Sequence, residues 1–231
     1  MNGYLSQFLF GIYPYLSLAV FLAGSLVRFD REQYSWRSGS SQLLRARQLR
    51  VGSNLFHVGI LLLFLGHFAG LLTPHEVYTA FISVQAKQLL AMIAGGVFGT
   101  LAFVGLTILI YRRLTDPRIR RTSSRMDIVV VLLIWAQLVL GLISIYYSAA
   151  HPDGGVMLAL AEYCQRLVTF RGLDVAALDQ LPWVYKAHLA LGFTLFLVFP
   201  FSRLVHIWSA PVGYLVRPYQ LVRRRAAKRL T

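Results

Sequence analysis

Cysteine is almost absent from this sequence, and its scarcity excludes several kinds of metal and redox site. The 231 residues include a single cysteine, Cys164, so no disulfide can form within the chain. Iron–sulfur clusters, thiolate zinc sites and covalently attached haem all require more cysteines. A metal centre in this chain would therefore have to use histidine. Cys164 itself is predicted to be a small apolar packing residue.

Charged side chains are also scarce, and those present are bunched. They form 14% of the sequence, against about 25% in ordinary soluble domains. Long charge-free windows alternate with short basic clusters, which is typical of proteins that cross a membrane several times. The windows predict a single all-α membrane domain with five transmembrane helices and a C-terminal tail, at about residues 3–27, 51–74, 88–111, 128–150, 183–208 and 211–231.

Basic residues lie mainly in alternate connections between the predicted spans. The connections at 28–50 and 112–125 carry six each, and Arg203 with the tail carries seven, whereas the other connections carry four. The positive-inside rule therefore predicts an N-terminus outside the cell and a C-terminus in the cytoplasm. The same rule accounts for the net charge of +14, which then gives no reason to expect nucleic-acid binding.

Local patterns refine this outline in three places. Pro14 is predicted to bend the first span or to mark its ordered start. The long connection at 151–182 is predicted to contain a short amphipathic helix at about 157–169. Glycines in the third span predict close helix packing; they are Gly95, Gly96 and Gly99.

Two of the predicted spans contain histidines, which are costly inside a membrane and therefore indicate a functional site. The second span has His57 and His67, and the fifth has His188 and His206. Because these spans are antiparallel, His57 and His206 form an inner pair near the cytoplasm, and His67 and His188 form an outer pair. Two neutral imidazoles can occupy both axial positions of a haem iron. We therefore predict two b haems between the spans, with packing or proton transfer as alternative roles of these histidines.

The spacing of the histidines leaves one ambiguity. His188 and His206 are 18 positions apart, about 27 Å along a continuous helix. His57 and His67 are 10 apart, about 15 Å, so spacing alone favours His75 as the partner of His188. The position of His75 at the exit of the second span favours His67. His75 and the similarly placed His151 are predicted to be surface residues.

Two cations and three glycines lie beside the predicted haems. Arg203, one turn before His206, is either a partner for an inner-haem propionate or a charge that sets topology. Lys87 opens the third span, where it either binds the outer haem or a polar ligand, or snorkels to the surface. Three glycines flank the second-span histidines and either admit a flat macrocycle or pack helices: Gly59, Gly66 and Gly70.

Several stretches together resemble the gamma subunit of respiratory nitrate reductase, and the resemblance extends over nearly the whole chain. They are Ile-Tyr-Pro-Tyr at 12–15, Tyr-Ser-Trp-Arg at 34–37, Ser-Asn-Leu-Phe-His at 53–57, Gly-His at 66–67, Leu-Thr-Pro-His at 72–75 and Phe-Pro-Phe-Ser-Arg-Leu-Val-His-Ile-Trp at 199–208. The resemblance is weakest at about 153–180 and in the last residues.

This resemblance implies a five-span cytochrome b with two haems in the cytoplasmic membrane of a bacterium or archaeon. The chain would anchor an iron–sulfur beta subunit and a molybdenum-containing catalytic alpha subunit, which would reduce nitrate in the cytoplasm. The resemblance implies inner-haem ligation by His57 and His206 and outer-haem ligation by His67 and His188. It also implies quinol oxidation beside the outer haem, with Lys87 at the quinol site.

Two other interpretations fit part of the pattern. A related two-haem b subunit of a sulfite- or heterodisulfide-type reductase would share the histidines and differ in its cytoplasmic partner. A haem-free transporter that moves protons through its histidines is the second alternative. The lack of a carboxylate within the predicted spans argues against a transporter, and an absorption spectrum would separate it from a cytochrome.

Overall fold

The structure, a computed structural model, describes residues 3–32, 34, 36, 44–209 and 216. Throughout these residues the chain is helical without β-strands, which confirms the predicted all-α class. Five helices are long and apolar enough to cross a membrane, and we number them spans 1 to 5: Gly3–Arg31, Ala46–Leu72, Val84–Thr115, Arg125–Ala149 and Trp183–Phe201. Shorter helices between the spans are His75–Tyr78, Pro117–Arg121, Gly155–Val168 and Val175–Asp179. The predicted tail at 211–231, apart from Val216, lies outside the described residues.

Spans 2 to 4 are longer than the charge-free windows that predict them. Span 2 starts at Ala46 and span 3 ends at Thr115, because arginine side chains can extend along a helix end and keep their charged heads in water. Side-chain caps fix the starts of spans 3 and 4. Ser83 accepts a hydrogen bond from the Ala86 amide, and Ser124 forms a reciprocal capping box with Asp127.

Pro14 lies at the junction of two helical forms in span 1. The chain forms a π-helical turn at Phe8–Ile12 and continues as an α-helix from Tyr13 to Arg31. Proline has no N–H to donate to the carbonyl four residues earlier, which is that of Phe10. The hydroxyl of Tyr163 donates to the Phe10 carbonyl instead, at 2.8 Å. The junction is therefore completed by a contact from a distant part of the chain.

The spans pack in the order 1–5–4–3–2, and a helix outside the spans joins the two ends of this row. Each span contacts the next in that order. The helix Gly155–Val168, which we call the bridging helix, packs against span 2. Its Gln165 donates to the carbonyls of Leu71 and Thr73 at the end of span 2, and its Tyr163 donates to span 1. This element confirms the amphipathic helix predicted at about 157–169.

Glycine allows spans 2 and 3 to approach backbone to backbone. A Cβ atom built on Gly59 would lie 2.5 Å from the Ala102 nitrogen and 2.6 Å from the Phe98 oxygen. A Cβ atom on Gly105 would collide with the Phe56 nitrogen and lie 2.7 Å from the Gly52 oxygen. Since these neighbours are backbone atoms, side chains at Gly59 and Gly105 would force the two helices apart.

Span 5 is interrupted, and the predicted helix through Trp208 is wrong at this end. The α-helix stops at Val198, and the chain continues as 3₁₀ turns at Phe199–Phe201 and Arg203–Ser209. Pro200 explains the break, because proline removes a helix hydrogen bond and its ring clashes with the preceding turn. The distance of about 27 Å from His188 to His206 assumed a continuous helix and therefore does not apply.

Candidate functional site

The imidazole rings of His67 and His188 lie next to each other between spans 2 and 5. Their centroids are 6.3 Å apart, and their ring planes are 25° from parallel. An imidazole nitrogen binds a metal at about 2.0–2.1 Å, so two rings on opposite sides of one metal ion have centroids about 6 Å apart. The separation of the outer pair therefore fits two ligands on one haem iron.

Three of the four candidate ligands are oriented by their own helices. Each Nδ1 atom bonds to a carbonyl in the preceding turn: His57 to Ser53 at 2.7 Å, His67 to Leu63 at 2.8 Å and His206 to Arg203 at 2.6 Å. A carbonyl can only accept, so Nδ1 carries the hydrogen and Nε2 is left with its lone pair. His151 is held in the same way by Tyr147, so this arrangement permits ligation without implying it.

His188 is held by span 4 instead. Its carbonyl accepts a hydrogen bond from Gln137 at 3.1 Å, and its ring lies over Gly141, where a built Cβ would be 3.2 Å from the ring carbon Cε1. The Nδ1 atom of His188 and the amide oxygen of Gln137 are both buried without a hydrogen-bond partner among the described residues. Neither Gln137 nor Gly141 was found by the sequence analysis, because their relation to His188 depends on the packing of two helices.

The inner pair is arranged differently. His57 lies within span 2, whereas His206 lies in the 3₁₀ segment beyond the break in span 5. In the described part of the chain, the His57 ring contacts Phe56, with centroids 5.3 Å apart, and does not contact the His206 ring. The structure thus brings the outer pair together and leaves the two inner histidines on separate elements.

Arg203 takes part in an ion-pair cluster at the start of span 4. Its Nε atom donates to the Asp127 carboxylate at 2.7 Å, and Arg113 lies 3.7 Å from the other oxygen of Asp127. This contact anchors the 3₁₀ segment that carries His206. The role of Arg203 toward a propionate stays a prediction. Asp127 was overlooked, although the Ser-x-x-Asp pattern at 124–127 is a recognisable capping box.

Lys87 lies over the ring of Tyr78, with its Nζ atom 3.4 Å from the ring centroid. Tyr78 is 7% exposed, and among the described residues neither Lys87 Nζ nor the Tyr78 hydroxyl has a hydrogen-bond partner. Burial, followed by the charge of Glu76, raises the pKa of Tyr78, so the hydroxyl remains protonated at neutral pH. The three N–H donors of the Lys87 ammonium group and the Tyr78 hydroxyl are therefore unused by the described residues, and a polar ligand could bind them.

The glycines that flank the second-span histidines divide into two groups. Gly59 packs against span 3, as described above, so helix packing explains it. A Cβ built on Gly66 or Gly70 would meet no described atom within 4 Å. Gly70 follows His67 by three positions and lies on the same side of the helix. The helix surface beside His67 therefore carries no side chain at Gly66 and Gly70, which leaves room for a planar group such as a haem to lie against the backbone.

Comparison with known proteins identifies the family. The sequence profile of the nitrate reductase gamma subunit matches residues 6–225. The chain belongs to this family. It is 50% identical over 222 residues to the respiratory nitrate reductase 1 gamma chain of Escherichia coli K12, covering 96% of this chain and 99% of that protein. It is 49% identical to the respiratory nitrate reductase 2 gamma chain of the same bacterium over 97% of this chain and 100% of that one. The nitrate reductase gamma chain of Bacillus subtilis is 37% identical, over 95% and 99% of the two chains.

Membership confirms the predicted family and, together with the five apolar helices, the predicted multi-pass location in a bacterial cytoplasmic membrane. The chain is thus the gamma subunit of a respiratory nitrate reductase complex, an oxidoreductase with further subunits. Membership also decides against the sulfite- or heterodisulfide-type reductase and the haem-free transporter.

The remaining residues singled out in the gamma subunit are peripheral to the histidine pairs. His75 is exposed at the start of a short helix, and His151 is exposed after span 4. Cys164 is partly buried in the bridging helix and packs against a core cluster. Burial raises the pKa of its thiol to about 11, so it is unreactive at neutral pH, consistent with a packing role.

Proposed function

We propose that this chain is a di-haem cytochrome b subunit that oxidises membrane quinol beside the outer pair. It delivers the electrons to the cytoplasmic subunits of the nitrate reductase. The observation that carries the proposal is the 6.3 Å separation of the His67 and His188 rings, with His57 in the same helix as His67 and His206 in the 3₁₀ segment that follows span 5. Membership of the gamma subunit family supports the same function.

Four side chains of this chain would hold the two haems. His67 and His188 would bind the outer haem, and His57 and His206 the inner one. Bound between two imidazoles, a haem supplies reversible one-electron transfer. The chain contributes ring orientation, because three of the four Nδ1 atoms are engaged by carbonyls and their Nε2 atoms are free to bind iron.

Lys87 is the residue of this chain best suited to bind quinol. Its ammonium group is held over the Tyr78 ring and can donate hydrogen bonds to a quinol oxygen or to an outer-haem propionate. Conversion of quinol to quinone releases two electrons and two protons. A donor on the quinol oxygen orients the substrate, while the protons leave toward the nearby membrane surface.

The predicted orientation gives this reaction a direction. Protons would be released outside, and electrons would move to the cytoplasmic side, where the basic connections lie. Each electron moved inward against a potential of 100 mV stores about 2.3 kcal/mol. An iron–sulfur beta subunit docked on that basic surface would accept the electrons and pass them to the molybdenum-containing alpha subunit, which would reduce nitrate.

A haem assay on the purified chain tests the proposal directly. We expect a pyridine haemochrome assay to give two b haems per chain and the absorption spectrum to show reduced cytochrome b after addition of a quinol analogue. His75→Ala and His151→Ala serve as matched controls, because both remove an exposed histidine and should leave two haems. One haem or none in the unaltered protein from intact membranes would contradict the proposal.

A further inference from the structure

The break in span 5 exposes backbone carbonyls that a continuous helix would use. The α-helix ends at Val198 and the two 3₁₀ turns that follow are separated by Ser202, whose backbone is extended. Pro200 and Ser202 are buried, and a buried carbonyl that has lost its helix partner needs a donor from elsewhere in the chain. The carbonyls of Pro200 and Ser202 lie at the centre of the interruption, four to six positions before His206.

Arg28 of span 1 supplies the donors. Its Nη1 atom donates to the Pro200 carbonyl at 2.7 Å and to the Ser202 carbonyl at 2.8 Å. Both contacts join parts of the chain that are more than 170 positions apart. A single guanidinium nitrogen thus bridges the two sides of the break, which fixes the direction in which the chain leaves span 5.

Gly24, one turn before Arg28, allows span 1 to approach closely enough for this contact. A Cβ built on Gly24 would lie 2.8 Å from Cγ and 2.9 Å from Cβ of Pro200. The proline ring is rigid, so it cannot move aside as the end of a flexible side chain could. The first span therefore contacts the break twice, through a close approach at Gly24 and through hydrogen bonds at Arg28.

The contacts continue from the break toward His206. The Ser202 hydroxyl donates to the Phe199 carbonyl at 3.0 Å and accepts from the Leu204 amide at 3.1 Å. Ser202 is 3% exposed and Val205 is 0% exposed, so the segment is packed on both sides of Arg203. His206 then bonds through Nδ1 to the Arg203 carbonyl. Displacement of Ser202 would therefore move the His206 ring.

We propose that Arg28, with Gly24, is a positioning residue for His206. It holds the broken end of span 5 so that the histidine faces the inner haem position. The part of this inference that concerns haem rests on the proposed function. The part that concerns the segment does not, because it follows from the two hydrogen bonds and the close approach.

A haem-independent experiment measures the segment itself. Val205→Cys in a Cys164→Ala background places one thiol at the buried position in the segment, and its rate of labelling by a maleimide reports how often the segment opens. Loss of hydrogen bonds from a charged donor is expected to raise that rate about tenfold to hundredfold in Arg28→Gln. Arg31→Gln, an exposed arginine one turn further along span 1, is the matched control and should change the rate less than twofold.

Two further variants separate positioning from general destabilisation. Arg28→Lys retains the charge and can reach one carbonyl, so its labelling rate should lie between those of the unaltered protein and Arg28→Gln. Gly24→Ala should raise the rate although Arg28 is present, because its Cβ would press on Pro200. In all variants the outer haem reports whether the helices remain folded, and redox titration should show a shifted or missing inner haem beside an unchanged outer one.

The outcomes distinguish this inference from the proposed function. Equal labelling in Arg28→Gln and Arg31→Gln would overturn the inference, whatever the haem content. Faster labelling with an unchanged inner haem would also overturn it, because Arg28 would then hold the segment without positioning His206. An unaltered protein that binds no haem would overturn the proposed function, and the labelling rates would still decide the role of Arg28 in the segment.

Discussion

The outer and inner histidine pairs are built in different ways, although both join span 2 to span 5 or to the segment that follows it. His67 and His188 both lie in uninterrupted α-helix, and their rings are brought within 6.3 Å by helix packing. The inner pair combines a residue of regular helix, His57, with His206, which lies beyond the break at Pro200. One site therefore depends on the shape of neighbouring helices, and the other depends on individual polar contacts.

This difference predicts different sensitivities to substitution. Around His188 the sensitive positions are small residues on span 4, such as Gly141, where added volume would move the ring. Around His206 they are the charged residues that hold a non-helical segment, Arg28 and the Arg203–Asp127 pair. The support of the His188 ring should therefore respond mainly to changes of size on span 4, whereas the support of His206 should respond both to charge at Arg28 and to size at Gly24.

The largest expected effect is the loss of one haem by substitution of one ligand. His188→Ala should reduce the haem content from two to one per chain, and His206→Ala should do the same with loss of the other spectral component, because each would remove one of the two imidazoles proposed to hold that haem. Pyridine haemochrome assays and low-temperature spectra measure both effects. If His75→Ala lost a haem instead, His75 would replace His67 in the outer pair.

A smaller effect is expected at the quinol site. Lys87→Ala should slow reduction of the haems by a quinol analogue while both haems remain bound. A lost hydrogen bond to a charged group is worth about 1.5–3 kcal/mol, which corresponds to about tenfold to hundredfold. Stopped-flow reduction at matched haem content measures this, with Gln85→Ala, an exposed residue near the start of the same helix, as control. Unchanged kinetics in Lys87→Ala together with a strong defect in Arg203→Ala would place quinol oxidation at the inner pair.

Two substitutions of Tyr78 distinguish the role of its ring from the role of its hydroxyl. Tyr78→Leu removes the ring that holds the Lys87 ammonium, and a cation–π contact of about 0.5–2 kcal/mol predicts about twofold to thirtyfold slower quinol-dependent reduction. Tyr78→Phe keeps the ring and should stay within twofold of the unaltered protein. Equal losses in both variants would show that the hydroxyl, and not the ring, matters for quinol oxidation.

The smallest effect is expected from Gly141→Ala, which adds one methyl group next to the His188 ring. In Gly141→Ala the new Cβ would lie 3.2 Å from the His188 ring, which must then shift by a few tenths of an ångström. Both haems should remain, and redox titration should show a displaced potential for the outer haem alone. Gly95→Ala is the control, since its Cβ would be 3.9 Å from the nearest side-chain atom. A displaced inner potential in Gly141→Ala would contradict the separation of the two sites.

The sequence was sufficient to predict the features that depend on local patterns of residues, namely the spans and the bridging helix. Apolar windows with few or no charges were sufficient to predict five spans, and an amphipathic pattern located the bridging helix. The outer pair, His67 and His188, followed from the alternation of span direction, whereas the pairing of His57 with His206 stays a prediction. The break in span 5 was missed because an apolar window does not distinguish continuous helix from 3₁₀ turns, although Pro200 is a physical signal for the break.

Features that depend on distant contacts could not be foreseen in the same way. In the sequence, Arg28 resembles the other basic residues at span ends, and no neighbouring residue indicates that it contacts Pro200. Gly52 and Gly105 read as ordinary glycines, and their close approach is evident only when spans 2 and 3 are packed. Lys87 was singled out, but its partner Tyr78 lies in a separate short helix.

The order of packing, 1–5–4–3–2, has a consequence for the way the chain is made. Spans 2, 3 and 4 can pair with their neighbours as they emerge from the ribosome. Span 1 cannot, because its contacts are with residues synthesised much later: Ser6 with Asp179, Tyr13 with Thr194 and Arg28 with Pro200. The first helix to enter the bilayer is therefore the last to be fixed in place. The contacts of Gly24 and Arg28 with Pro200 can form only after span 5 has been synthesised, so its arrival completes both the helix bundle and the packing of the segment that carries His206.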